Sequence, residues 1–180
     1  MSAWPLRRTY GVRPALELER QAHGNTDPAS LSATLELEVP EAAGILIVCD
    51  DDDLTRQLNH VLQKEGFIAE SVKSVTEGCA SARSGRFQVV FSTPAVADGS
   101  WRRLADLANY TDLPFVVVLV ATNFDLSSWV GALEDGAFDV LDALNELAKA
   151  GETARRALWV ACLKDAARLH PGVVLPPWVA

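Results

Sequence analysis

From Gly44 onward the chain alternates short apolar runs with amphipathic stretches. The runs cover residues 45–49, 67–72, 87–91, 115–121 and 138–141. Their near-continuous Val, Ile and Leu content, as in Val116-Val117-Val118-Leu119-Val120, is that of strands buried on both faces. Between them apolar residues recur at three- and four-residue intervals: Leu54, Leu58, Val61 and Leu62; Val75, Cys79 and Ala82; Leu104, Leu107 and Ala108; Leu126, Val130 and Leu133. Each stripe predicts a helix with one buried face. A last helix is expected over about residues 152–169. It places Ala154, Leu158, Ala161, Cys162 and Asp165 on one side and Trp159, Leu163 and Ala166 on the adjacent one, an apolar arc wider than a single sheet face requires.

Strands alternating with helices indicate βαβ units, hence a doubly wound, five-stranded parallel sheet in a three-layer α/β/α sandwich with right-handed crossovers. In such sheets ligands sit outside the C-terminal ends of the strands, where the strand order reverses. That points to residues 50–53, 92–94, 121–123 and 142–144.

The flanks differ. Residues 1–43 contain Pro5, Pro14, Pro28 and Pro40 and show no sustained helical period, so they read as an arm. Within the arm Leu31, Ala33, Leu35, Leu37 and Val39 alternate with polar residues, the period-2 pattern of a half-buried strand able to join a sheet edge. Residues 170–180 form an apolar tail that Pro171, Pro176 and Pro177 keep from being helical. The expected division is therefore an arm over 1–43, a domain over 44–169 and a tail over 170–180.

Composition narrows the chemistry. Of 180 residues 49% are hydrophobic and 22% charged, which is ordinary for a folded soluble domain. The net charge of −8 argues against a nucleic-acid partner, since that affinity comes mostly from Lys and Arg meeting phosphates. Cys49, Cys79 and Cys162 are odd in number and widely spaced, which suggests neither a zinc site nor a disulfide framework and fits a reducing cytoplasm. The most apolar stretch, 115–121, is too short to span a bilayer, so no membrane partner is expected. His23, His60 and His170 lie in separate segments without ligand spacing, and the chain shows no Ser/His/Asp order and no glycine-rich phosphate loop. An enzyme is not expected.

The stretch Ile45-Leu46-Ile47-Val48-Cys49-Asp50-Asp51-Asp52-Asp53-Leu54 resembles the first strand and acidic loop of the response-regulator receiver family of two-component signalling. Ser84-Gly85-Arg86-Phe87, Asp98-Gly99, Leu113-Pro114 and Gly136-Ala137-Phe138-Asp139-Val140-Leu141 carry the resemblance, in order and spacing, to roughly Leu163. It implies a flavodoxin-like (CheY-like) fold. It also implies a chemistry in which a histidine kinase passes a phosphoryl group to an aspartate ending the third strand. A divalent cation held by two acids after the first strand neutralises the charge. A Thr or Ser after the fourth strand and a Lys-Pro after the fifth contact the transferred group. The physical needs are a carboxylate nucleophile, oxygen ligands for a hard cation, and a fixed ammonium.

This sequence departs from that pattern at each strand end. Aligned on Ile47-Val48, the two acids fall on Cys49 and Asp50, and a soft thiol is a poor Mg²⁺ ligand. Asp50 and Asp51, or Asp52 with a shifted loop, remain as weak metal candidates, so no cofactor is expected beyond an open question over Mg²⁺. Counted from Phe87 the acceptor falls on Thr93, or with one gap on Ser92. Neither is a carboxylate, and a hydroxyl needs a base before it can attack phosphohistidine. The switch hydroxyl falls on Val120, with Ala121 next and Thr122 two positions along. The Lys-Pro positions are Ala143 and Leu144, so the charge clamp is missing. Asp98 matches the family's loop Asp-Gly.

Plainer roles also fit these residues. Residues 50–53 suit a helix start, where acids cap and favour the N-terminus. Ser92 and Thr93 suit a strand-end turn before Pro94, and Cys49 suits a small buried position. Trp159, with Leu163, gives the last helix a second apolar edge suited to an interface. The sequence thus reads as a receiver-like domain without the phosphoacceptor Asp, the Thr/Ser switch and the Lys. It is expected to act as a phosphorylation-independent interaction module, as a homodimer or with another protein, through its last two helices and strand. Two alternatives stand: an active receiver with a non-standard acceptor, and a small-ligand binder reusing the pocket between Cys49, Thr93, Val120 and Ala143. A deep dry cavity there would favour the second, and a filled one would count against it.

Overall fold

A computed structural model describes residues 44–111, 113–123 and 125–169, all within the unit Glu41–Ala180. The arm, with its expected strand from Leu31 to Val39, and the tail lie outside the described residues. The elements run β1 (Gly44–Val48), α1 (Asp52–Lys64), β2 (Ala69–Val72), α2 (Val75–Ala82), β3 (Phe87–Ser92), β4 (Ala95–Val96), β5 (Gly99–Ser100), α3 (Arg102–Tyr110), β6 (Val116–Ala121), α4 (Leu126–Glu134), β7 (Asp139–Asp142), a 3₁₀ turn Leu147–Lys149 and α5 (Ala150–Leu169).

The main sheet has the order β2-β1-β3-β6-β7, and every pairing in it is parallel. This is the flavodoxin-like topology expected from the βαβ pattern. The order reverses between β1 and β3, whose C-terminal ends meet where Val48 pairs with Ser92. The antiparallel hairpin of β4 and β5 just beyond β3 was not expected from the sequence.

Both sheet faces are buried. Leu46, Val48, Val90, Val117 and Leu119 share one core cluster with Val75 and Cys79 of α2 and Leu104 of α3. By the two-residue alternation of a strand, Ile45, Ile47, Val89, Phe91 and Val118 turn to the opposite face, the side of α1 and α5, whose Leu58, Leu62, Ala154 and Leu158 are almost fully buried. Close approach of α2 to β1 depends on Gly78: a side chain there would meet Val48 Cγ2 at 2.7 Å.

Two expectations are corrected. The stripe of α4 is split: Leu126 is 77% and Val130 42% exposed, Trp129 beside them is 37% exposed, while Leu133 packs against the core and Ala132 is the buried residue. Helical spacing identifies a stripe but not the side it faces, and here the small Ala132 edge meets the sheet. Conversely, Leu163 is only 5% exposed and belongs to the core, not to a surface edge, while Trp159 is half-buried. Burial runs well round α5, taking in Thr153, Ala157, Val160 and Asp165, which is the destination of its wide apolar arc.

Candidate functional site

The C-terminal ends of β1, β3 and β6 bring Cys49, Ser92, Thr93 and Val120 together beneath α1, where Ile47, Leu54, Thr55, Leu58 and Phe91 complete the lining. The space they enclose is about 10 Å³, at the lower limit for one water and far below a ligand pocket. The position is filled by side chains. Ala143 is not among the lining residues; its amide instead donates to the carbonyl of Ala121, extending the pairing of β6 with β7.

The hydroxyls at this point are turned to local backbone. Ser92 Oγ donates to the Thr93 carbonyl at 3.0 Å, and Thr93 Oγ1 to that of Ala95 at 3.2 Å. These bonds fasten the turn from β3 into the hairpin. Cys49 is buried and its thiol reaches the Asp51 carbonyl at 3.5 Å. Thr55 Oγ1 is buried here with no hydrogen-bond partner. The strand of Val120 stops at Ala121, and Thr122 beyond it is exposed in a bend, so it does not take up the switch position.

All four carboxylates after β1 are engaged, and none lines this space. Asp50 accepts from the Ala97 amide at 3.1 Å, tying the β1 loop to the hairpin. Asp51 is the N-cap of α1, accepting from the amides of Asp53 and Leu54 at 2.8 and 3.1 Å. Asp52 pairs with Lys73, whose hydrogen bond and charge hold the carboxyl below its usual range, and Asp53 pairs with Arg56. What faces the space is therefore a thiol and hydroxyls, a poor donor set for a hard cation. Among the described residues no group of three or more His, Cys, Asp or Glu is placed to hold a metal ion.

Two further carboxylates, Asp98 of the Asp-Gly match and Asp142 at the end of β7, organise the neighbouring loops in ways the local pattern did not indicate. Asp98 accepts from the amides of Val75 and Thr76 at 2.7 and 2.9 Å, so the hairpin caps the start of α2. The Thr76 hydroxyl and these amides lower its carboxyl to about 2. After β7, Asp142 accepts from Asn145 at 2.7 Å and from the Leu144 amide at 2.8 Å, which lowers its carboxyl too. The turn that would carry the Lys-Pro is thus closed on itself. The signal for either role lies in contacts the local pattern does not contain.

Comparison with solved structures places this architecture. The signal receiver domain of a LuxO repressor protein from Vibrio parahaemolyticus superposes with a TM-score of 0.63 at 18% identity, over 69% of this chain and 96% of that one. The beryllofluoride-activated NtrC4 receiver domain dimer gives 0.59 at 20% identity, over 66% and 98%. The fold is the receiver fold. No family model matches the sequence. Among curated proteins, the C4-dicarboxylate transport transcriptional regulatory protein DctD of Rhizobium meliloti is 30% identical over 123 residues, or 64% of this chain. The chain spans 26% of the length of that protein. Sequence likeness to a response regulator thus accompanies the structural likeness to receivers.

In receiver terms, the strand ends coincide with those the resemblance singled out, and the side chains on them differ. Where the acceptor carboxylate is expected, Ser92 and Thr93 bond to backbone. Val120, which the resemblance sets at the switch position, is buried, and Ala143, which it sets at the ammonium position, follows the end of β7. Among the described residues no helix is long and apolar enough to cross a membrane.

Proposed function

We propose that this receiver-type domain is a signal-transduction module of the two-component kind that works by binding and not by phosphoryl transfer. The observation that carries this reading is the filled space at the C-terminal ends of β1 and β3: about 10 Å³, lined by thiol, hydroxyl and methyl groups, with every nearby aspartate committed elsewhere. A carboxylate nucleophile and a cation have no place there. The same filling counts against a small ligand at this point.

The binding surface is assigned to α4 and the turn after β7. Leu126, Trp129 and Val130 form an exposed i, i+3, i+4 stripe on α4, and Leu144 is 70% exposed. Four large apolar side chains on one helix and an adjacent turn are an interaction patch in the making. The intended occupant is a second copy of the chain, a reading supported by the NtrC4 neighbour being a receiver domain dimer. The three cysteines are buried and free, which suits the reducing cytoplasm in which two-component proteins would be read.

The test is mass spectrometry after incubation with acetyl phosphate and Mg²⁺. The mass is expected to stay unchanged, and a gain of one phosphoryl group would overturn the reading. Light scattering on the full chain then tests the surface. A dimer that Leu126→Asp with Val130→Asp converts to a monomer is expected, whereas a dimer untouched by both changes, or a monomer throughout, removes self-association through α4.

A further inference from the structure

A second, larger cavity lies at the other end of the sheet. About 280 Å³ is enclosed between the C-terminal turn of α3, the start of β6, the segment leading from α4 into β7, and the outer half of α5. It approaches the volume of small-molecule sites, about 300–1,000 Å³. Phe115, Phe138 and Val160 supply apolar wall, and Asn109 and Lys164 are the polar side chains of the lining. Gly136 keeps it open: its φ of +96° is left-handed, and a side chain there would meet Asn109 Nδ2 at 2.5 Å. Residues 116 and 117 begin β6 and residues 136–138 precede β7, so this cavity faces away from the strand ends discussed above.

Lys164 gives the cavity its chemistry. It is partly buried on α5, and among the described residues it is the single charged side chain of the lining and no hydrogen bond or ion pair engages it. Its neighbours differ: Arg155, Arg156 and Arg168 on the same helix each have a carboxylate partner. Burial pushes its ammonium below the usual lysine range. A desolvated, unpaired ammonium gains from an anion more than an exposed one does, because the local dielectric is low. A bulky polyanion does not suit walls of Phe and Val, and a neutral apolar ligand leaves the ammonium uncompensated.

We propose that this cavity binds a small organic monocarboxylate with an apolar body, its carboxylate on Lys164 and Asn109 and its hydrocarbon against Phe115, Phe138 and Val160. This site is independent of the reading given for the strand ends and for α4. It would give the domain a chemical input at the end of the sheet opposite those strand ends, beside α4 and α5.

The test is an amide NMR titration of the full-length chain with hexanoate, using hexan-1-ol and acetate as controls for the charge and the apolar body. Hexanoate is expected to shift the amides of Val117, Gly136, Ala137 and Phe138 saturably at millimolar concentration or below, with weaker effects from both controls. Lys164→Met retains the stem and removes the charge. It should weaken hexanoate about tenfold and leave hexanol unchanged, and Lys164→Gln serves if the Met variant loses its dispersed spectrum. Absence of saturable shifts at these amides would overturn the proposal. So would equal binding of hexanoate by wild type and the folded variant, or shifts confined to another face.

Discussion

The contact of Gly78 with Val48 makes a prediction whose sign depends on background. In Gly78→Ala the new methyl would sit 2.7 and 3.2 Å from the two γ-carbons of Val48, against 3.6 Å to Leu104 Cδ2. Val48 cannot yield easily: its χ1 is stiff, and β1 is paired on both sides, to β2 and β3. Overpacking of this kind costs about 1–3 kcal/mol, while replacing Gly by Ala inside a helix returns about 1 kcal/mol. The net expectation is a loss of about 1 kcal/mol. In a Val48→Ala background both γ-carbons are gone and the nearest remaining neighbour is at ordinary contact distance. There the same substitution keeps its helix gain, fills part of the space vacated, and should stabilise by about 1 kcal/mol. The cycle therefore predicts a coupling of about 2 kcal/mol, read from urea unfolding at constant m. An equal loss in both backgrounds would refute the claim that Val48 is what Gly78 accommodates.

Two further predictions concern the site. Thr55→Val removes a buried hydroxyl with no partner, so it should stabilise by about 1 kcal/mol, a rise in Tm of about 3–5 °C. An unchanged or lowered Tm would show that the hydroxyl is satisfied by water. Asp98→Ala should lose stability in a pH-dependent way. The carboxyl titrates at about 2 in the fold against 3.8 ordinarily, so its contribution is fully present above 3.8 and fades as pH falls toward 2. Chemical denaturation across that range should show the gap between wild type and variant closing below pH 3.8. A gap still at its neutral-pH size at pH 2 would show that Asp98 acts through something other than its charge.

The sheet was legible because buried parallel strands write themselves as continuous apolar runs, and those of β1, β3 and β6 came within a residue or two of their observed bounds. The second strand is shorter than its run because Ile68 points to solvent at 82% exposure and pairing begins at Ala69. The β4–β5 hairpin was illegible: two-residue strands carry no period. The side of α4 that faces solvent was illegible for a related reason, since Leu126 and Val130 satisfy the same spacing whether they meet a sheet or another protein. At the site, the sequence identified which residues occupy the strand ends, and the fold brings Cys49, Ser92, Thr93 and Val120 together. It could not tell that Asp98 reaches back to Val75 and Thr76, because nothing local links a loop acid to a helix start that precedes it in the chain.

On the reading proposed above, the acidic loop explains how a receiver signature can outlast receiver chemistry. Carboxylates after the first strand serve two ends in such a fold: they can ligate a cation, and they can accept the unpaired N–H groups of the helix that follows. Here the second use prevails. Asp51 satisfies two amides of α1 and Asp50 holds the Ala97 amide across the switch point. A cation drawing Asp51 inward would remove the N-cap of α1, a cost of about 0.5–2 kcal/mol, while the exposed Ala97 amide released by Asp50 would turn to water. Without an acidic acceptor on β3 no compensating ligand waits on the other side. Substituting Thr93→Asp alone is therefore expected not to restore phosphorylation by acetyl phosphate, because Cys49 still stands at the metal position and Ala143 at the ammonium position. A phosphorylated Thr93→Asp variant, detected by mass, would show that the loop can release its aspartates and that its engagement in capping is not what silences the site.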